Sequence, residues 1–318
     1  MRRRWMLWGG LVALSALLAT TGVAVTATAS RTPERHVEAY LNALASDDAL
    51  NLRLLAGLPR DAPQPLGDTG SPTALEIRAS SPREDGRVAV IAVYGERQRD
   101  VATTVFIVEP APLTTTTGWR FVEPPIASVS IVGPAGIAAR VNDQLVAAPA
   151  GDDGAARVVT AFVPARVSAR IDSPWLTGST VAVRAGGSST ALELDGKPTR
   201  RLERAVRQQL AGFLEECATQ RVLFPRGCPF GYSVADRVVG EPQWTLESDP
   251  AVRIIPTRVG GGYLVEGSAT MGLDAEVQRL RDGVIEQLVT TAPAVLDGRL
   301  TFTGTEPTLV IAPPVPAP

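Results

Sequence analysis

Residues 32–57 read Thr32-Pro33-Glu34-Arg35-His36-Val37-Glu38-Ala39-Tyr40-Leu41-Asn42-Ala43-Leu44-Ala45-Ser46-Asp47-Asp48-Ala49-Leu50-Asn51-Leu52-Arg53-Leu54-Leu55-Ala56-Gly57. Thr32 reads as a helix N-cap with Pro33 at the first helical position, where the missing N–H is no loss. Val37, Tyr40, Leu41 and Leu44 then recur at spacings of three and four, which predicts an amphipathic helix with one buried stripe. Ser46-Asp47-Asp48 ends that helix and caps a second, short one through Leu50, Leu54 and Leu55, which closes at Gly57.

After a Pro/Gly-rich loop at 58–72, strands are predicted at 74–80, 87–94, 100–109 and 119–122. Val88 to Tyr94 is apolar on both sides, as in a strand covered on both faces. Two helices followed by a meander of antiparallel strands is an α+β arrangement. Pro124-Pro125 reads as a linker, since neither residue can donate to a sheet ladder.

Beyond it, strands at 129–132, 137–141, 157–163, 166–171, 180–185 and 190–194 suggest a small all-β, sandwich-like module, with Asn142-Asp143 and Gly186-Gly187 as turns. A long helix then starts at Pro198, with Leu202, Val206, Leu210, Leu214 and Cys217 on one face. Further strands are expected at 243–247, 253–259, 263–271, 299–303 and 309–312. Residues 273–291 carry an apolar spacing that suits a helix, yet Asp282-Gly283 is hairpin chemistry, and strands are the preferred reading. The expected layout is a membrane or signal segment at 1–30, an α+β domain at 31–125, the β module at 126–196, a C-terminal helix-plus-antiparallel-sheet domain at 197–312, and a Pro-rich, disordered tail at 313–318.

At the N-terminus, Arg2, Arg3 and Arg4 precede an uncharged run from Trp5 to Ser30. A run of this length spans a bilayer as a helix, and the basic side stays cytoplasmic. The reading is a single-pass anchor, with residues 5–29 in the lipid bilayer, Trp5 and Trp8 at the interface, and the bulk of the chain extracytoplasmic. Ala27-Thr28-Ala29 also fits a signal-peptidase site, so secretion after cleavage near Ala29 is the alternative. Val23 and Val25 lengthen the apolar run beyond a signal peptide's core and favour the anchor.

The 318-residue chain has a formal charge of −2, which gives no basic face for nucleic acid. Lys197 is its single lysine against thirty arginines, a bias that points to a GC-rich bacterial genome. The two cysteines, Cys217 and Cys228, are expected to form one structural disulfide in an oxidising compartment. Two thiols and one distant histidine do not complete a zinc site, and no metal or cofactor is expected.

Catalytic chemistry has little to stand on. His36, the only histidine, is placed on the solvated side of its helix next to Arg35. Asp47-Asp48 is read as capping, Asp152-Asp153 as a turn, Glu215-Glu216 as a solvated helix face and Gly260-Gly261-Gly262 as a hairpin tip. Trp119 and Trp244 are assigned to cores, whereas Trp175, in Ser173-Pro174-Trp175-Leu176-Thr177-Gly178, is a possible binding anchor as well as a packing residue.

The order of a Tyr40-Leu41-x-x-Leu44 helix, the Ser46-Asp47-Asp48 break, a second helix and strands closing on Gly118-Trp119-Arg120-Phe121 resembles the NTF2-like cone fold over residues 32–125. Ala139-Arg140-Val141-Asn142-Asp143 followed by Phe162-Val163-Pro164 is similar to the small sandwich repeats of the teicoplanin-resistance-associated membrane proteins, although Asp143 stands where that family has glycine. The resemblance is to membrane-anchored extracytoplasmic proteins of the bacterial cell envelope, and implies a non-enzymatic binding or scaffold role toward cell-wall polymer or another envelope protein. The alternative is an exported small-molecule hydrolase or isomerase with an NTF2-like pocket, for which Tyr94, Arg99 and Glu109 are the strand-borne candidates.

Overall fold

The computed structural model describes residues 31–97, 100–112, 117–148, 156–186, 190–257, 262–303 and 306–312. The predicted anchor with Trp5 and Trp8, Arg99, Asp152-Asp153, Gly260-Gly261 and the tail at 313–318 lie outside these residues. Among the described residues no helix is long and apolar enough to cross a membrane. The architecture is mixed α+β and mostly strand, with antiparallel sheets.

Two helices open the described chain, α1 (Pro33–Ala45) and α2 (Ala49–Ala56). Thr32 caps α1 by accepting from the Arg35 amide, and Asp48 caps α2 by accepting from the Asn51 amide. Gly57 ends α2 at φ 72°, a left-handed backbone that glycine adopts without strain. There follow β1 (Ala74–Pro82), β2 (Val88–Glu96), β3 (Asp100–Pro110) and β4 (Trp119–Phe121), joined in the order β1-β2-β3-β4.

The middle of the chain supplies β5 (Ile126–Val132), β6 (Ala139–Val141), β7 (Gln144–Val146), β8 (Arg157–Phe162), β9 (Arg166–Ile171), β10 (Leu176–Thr177), β11 (Val181–Arg184), β12 (Thr190–Glu193) and β13 (Lys197–Pro198). They form small sheets in the orders β11-β9-β6-β7, β12-β5-β8 and β10-β13. Asn142 and Asp143, at φ 45° and 62°, make the two-residue turn between β6 and β7, the positive-φ hairpin that this pair favours.

The last part holds α3 (Arg200–Ala218), β14 (Arg237–Val238), β15 (Gln243–Leu246), β16 (Ala251–Pro256), β17 (Tyr263–Gln278), β18 (Ile285–Thr303) and β19 (Glu306–Ile311). Residues 273–291 are strand and hairpin, not helix: β17 and β18 pair in unbroken register from Tyr263↔Leu300 to Gln278↔Ile285. Gly283 sits in the turn at φ 71°, and Arg279 and Val284 close it through a 2.9 Å backbone bond. Side chains alternate buried and exposed along 291–300, as expected of a sheet with one wet face.

The chain divides into two compact units. One comprises the described part of Met1–Ser130 with Val158–Ser168 and Ala182–Thr190. Its core gathers Tyr40, Leu41 and Leu44 of α1, Leu52 of α2, Val90 and Tyr94 of β2, and the rings of Phe106, Phe121 and Phe162. Tyr40 lies edge-on to all three phenylalanines, and its hydroxyl donates to the Val163 carbonyl at 2.7 Å.

The other unit comprises Ile131–Arg157, Ala169–Val181 and Ala191–Pro318, the tail apart. Leu202, Val206, Leu210 and Leu214 of α3 are buried in two clusters with Tyr263, Val265, Met271 and Leu273 of β17. Cys217 and Cys228 are disulfide-bonded, with Cα atoms 5.9 Å apart, and tie the end of α3 to a loop packed on Phe230 and Trp244.

Candidate functional site

The first unit contains an open cleft of about 660 Å³, within the ~300–1,000 Å³ range of small-ligand sites. It runs beside β3, from Ala102 to Ile107, and its other wall is the segment from Phe121 to Ile126 with Val163 and Arg184. The cleft exists because β4 is short. Its register covers only Val108 to Pro110, after which the chain turns away through Pro124-Pro125.

The Val122 amide donates to the Ile107 carbonyl at 3.0 Å, so odd residues of β3 turn their peptide groups toward this edge. Beyond that bond, Thr103 and Val105 face the cleft with no strand partner among the described residues. The wall thus offers peptide donors and acceptors next to the apolar surfaces of Phe106, Phe121, Val163 and Ile126.

Arg184 carries the charge of the inner wall. Its side chain is 8% exposed, and Nη1 donates to the Pro164 carbonyl at 3.0 Å and lies 3.5 Å from Asp68 Oδ2. Asp68 is 1% exposed, and its Oδ1 accepts from the amides of Gly70 and Arg166, both at 2.9 Å. The guanidinium also sits 5.5 Å from the ring centre of Tyr94. A charge this deep persists only when such partners replace water.

Tyr94 was a candidate for an enzymatic pocket; its hydroxyl is buried beside Asp68 without a hydrogen bond of normal geometry. Burial first, and then the Asp68 charge, push that phenol far above its ordinary pKa, partly offset by Arg184. Glu109, the second candidate, is bonded to Arg120 at 2.6 Å and paired with Arg87 at 3.4 Å. Tyr94 and Glu109 sit at opposite ends and on opposite faces of the β2–β3 ladder, so they do not converge. The interior where a cone pocket would lie is filled by the Tyr40, Phe106, Phe121 and Phe162 rings.

His36 corrects the expectation of a solvated side chain. It is 3% exposed, tilted against Phe121 with centroids 4.7 Å apart, and its Nδ1 hydrogen-bonds Thr117 Oγ1 at 2.8 Å. His36 stands four residues before Tyr40 and so shares the buried face of α1, where Phe121 of β4 packs on both rings; its polarity, not its spacing, suggested solvent. Burial lowers its pKa to about 4, which keeps the ring neutral.

Trp175 lies in the second unit. It is half-buried against the cluster of Ile137, Leu176 and Tyr263, with the Arg201 guanidinium 4.6 Å above the indole. Its carbonyl accepts from both the amide and the hydroxyl of Thr199, the N-cap of α3. Trp119 and Trp244 pack on cores as expected.

Sequence reasoning missed Asp68 and Arg184. Asp68 falls in a Pro/Gly-rich loop and Arg184 at a strand end more than a hundred residues later, and no local pattern links them. No protein-family model, no curated protein and no solved structure matches the chain.

Proposed function

We propose that this is a membrane-tethered, extracytoplasmic, non-enzymatic binding or scaffold protein of the bacterial cell envelope. Residues 5–29 hold it in the bilayer, residues 31–125 are an NTF2-like unit, residues 126–196 a small β module, and residues 197–312 a disulfide-bearing α+β domain. The helix pair lying on an antiparallel sheet supports the NTF2-like reading, and the bridged Cys217–Cys228 pair supports an oxidising compartment.

The observation that carries the proposal is the cleft beside β3. Its charged lining is Arg83, Arg87, Arg184 and Glu123, dominated by guanidinium groups whose forked N–H donors suit binding rather than proton relay. Free peptide edges beside apolar walls suit an extended ligand, a stretch of cell-wall polymer or a segment of another envelope protein. Crosslinking in intact cells, followed by identification of the adducts, tests this. The expected result is an envelope component; turnover of a small molecule by the purified protein with no envelope adduct would reject it.

A further inference from the structure

In the second unit, β18 is paired on both sides over only part of its length. β17 pairs with it from Ile285 to Leu300, whereas β19 covers only Gly298 to Thr303. From Ile285 to Leu296 the other edge has no strand partner among the described residues.

The direction of the free groups follows from two bonds. The Ala312 amide donates to the Asp297 carbonyl at 2.8 Å on the β19 side, so odd residues of β18 point their peptide groups outward. On β17, Thr270 accepts from Glu247 at 3.1 Å on the side away from β18, and Thr270 is opposite Pro293. Both bonds give the same phase. Pro293, which has no N–H, therefore occupies a position where that donor would have faced outward, as proline does in edge strands.

Such edges are normally short, charged, broken by proline or covered. This one is long, and Gln287-Leu288-Val289-Thr290-Thr291-Ala292-Pro293-Ala294-Val295-Leu296 contains no charged residue. Val289 and Val295 are 73% and 66% exposed on the same wet face. Pro293 is the single interruption.

We infer that this edge pairs antiparallel with the same edge of a second copy, about a two-fold axis near Thr290. Self-pairing sets Glu286 opposite Ala294 and otherwise neutral residues against neutral residues, so no like charges are opposed, and it closes on itself, so it ends at a dimer. Residues 313–318 are a poor occupant, because four of the six are proline and have no N–H to give a ladder. Pairing over one edge buries less than the ~1,000 Å² of a permanent interface, so the dimer forms reversibly with concentration.

The test is sedimentation of the full chain in detergent over a hundred-fold concentration range, for the wild type, Thr291→Pro and Val289→Arg. Thr291→Pro removes an outward N–H that the monomer does not use, and Val289→Arg sets like charges across the axis. The expected result is a wild-type monomer–dimer equilibrium and at least ten-fold weaker association in each variant, with unchanged thermal unfolding. Thr290→Cys, whose thiol would be the sole free one beside the bonded pair, should be joined into a dimer by a short bis-maleimide. A wild type that stays monomeric, variants that associate as strongly as the wild type, or no Thr290→Cys adduct would each overturn the inference.

Discussion

The Arg184 guanidinium stands 3.5 Å from the Asp68 carboxylate with both side chains almost sealed from water, and Asp68 also receives the amides of Gly70 and Arg166. Removing one member leaves the other as an uncompensated buried charge, which costs on the order of 3 kcal/mol. Asp68→Ala should lower stability by about that amount in denaturant titration. The double variant Asp68→Ala/Arg184→Met should recover part of the loss. A single variant as stable as the wild type would show that the pair does not hold this wall.

His36 makes stability depend on pH. Its pKa is about 4 when folded and 6.5 when unperturbed, so between those values the unfolded chain binds more protons than the folded one. Stability is therefore full above about pH 6.5 and falls as pH drops toward 4, by roughly 3 kcal/mol if this group acts alone. His36→Gln should flatten that part of a Tm-against-pH profile. An unchanged slope would place the acid sensitivity elsewhere.

The disulfide restrains a short loop, worth about 3 kcal/mol in the chain-entropy view. Cys217→Ala/Cys228→Ala should lower Tm, and the same shift should follow reduction of the wild type. Non-reducing peptide mass spectrometry provides the direct check of the bond.

Gly136 adopts φ 71°, and a Cβ there would collide with the Phe302 carbonyl. Gly136→Ala should destabilise by more than the ~1 kcal/mol of a simple left-handed position, read by thermal unfolding. A neutral result would mean that the Phe302 segment yields easily.

Local chemistry was the legible part of this sequence. Thr32, Asp48 and Gly57 marked helix ends correctly, Asn142-Asp143 marked a hairpin, and Asp282-Gly283 outweighed a helical spacing because β17 and β18 pair across it. Which helix face is covered was only partly legible. His36 shares the buried face with Tyr40 four residues on, although its polarity suggested solvent. Of the expected apolar residues of α2, Leu50 and Leu54 are exposed, while Leu55 packs on the core with Leu52 and Ala56. Only Asn51 and Arg53 of α2 are polar, so apolar spacing alone admitted more than one stripe, and packing chose among them. The cleft was equally hidden, since it depends on where β4 stops and on an ion pair distant in sequence.

Photo-crosslinking in intact cells from a probe at Val105 measures the central claim most directly, because that residue lies on the open edge of β3 within the cleft. Leu50, exposed on α2 outside the cleft lining, serves as the control position. The account predicts an envelope-derived adduct at Val105 that is several-fold weaker at Leu50 and is lost when Arg184 is replaced in a still-folded variant such as Asp68→Ala/Arg184→Met. Equal labelling at the two positions, or no envelope adduct at Val105, would contradict it.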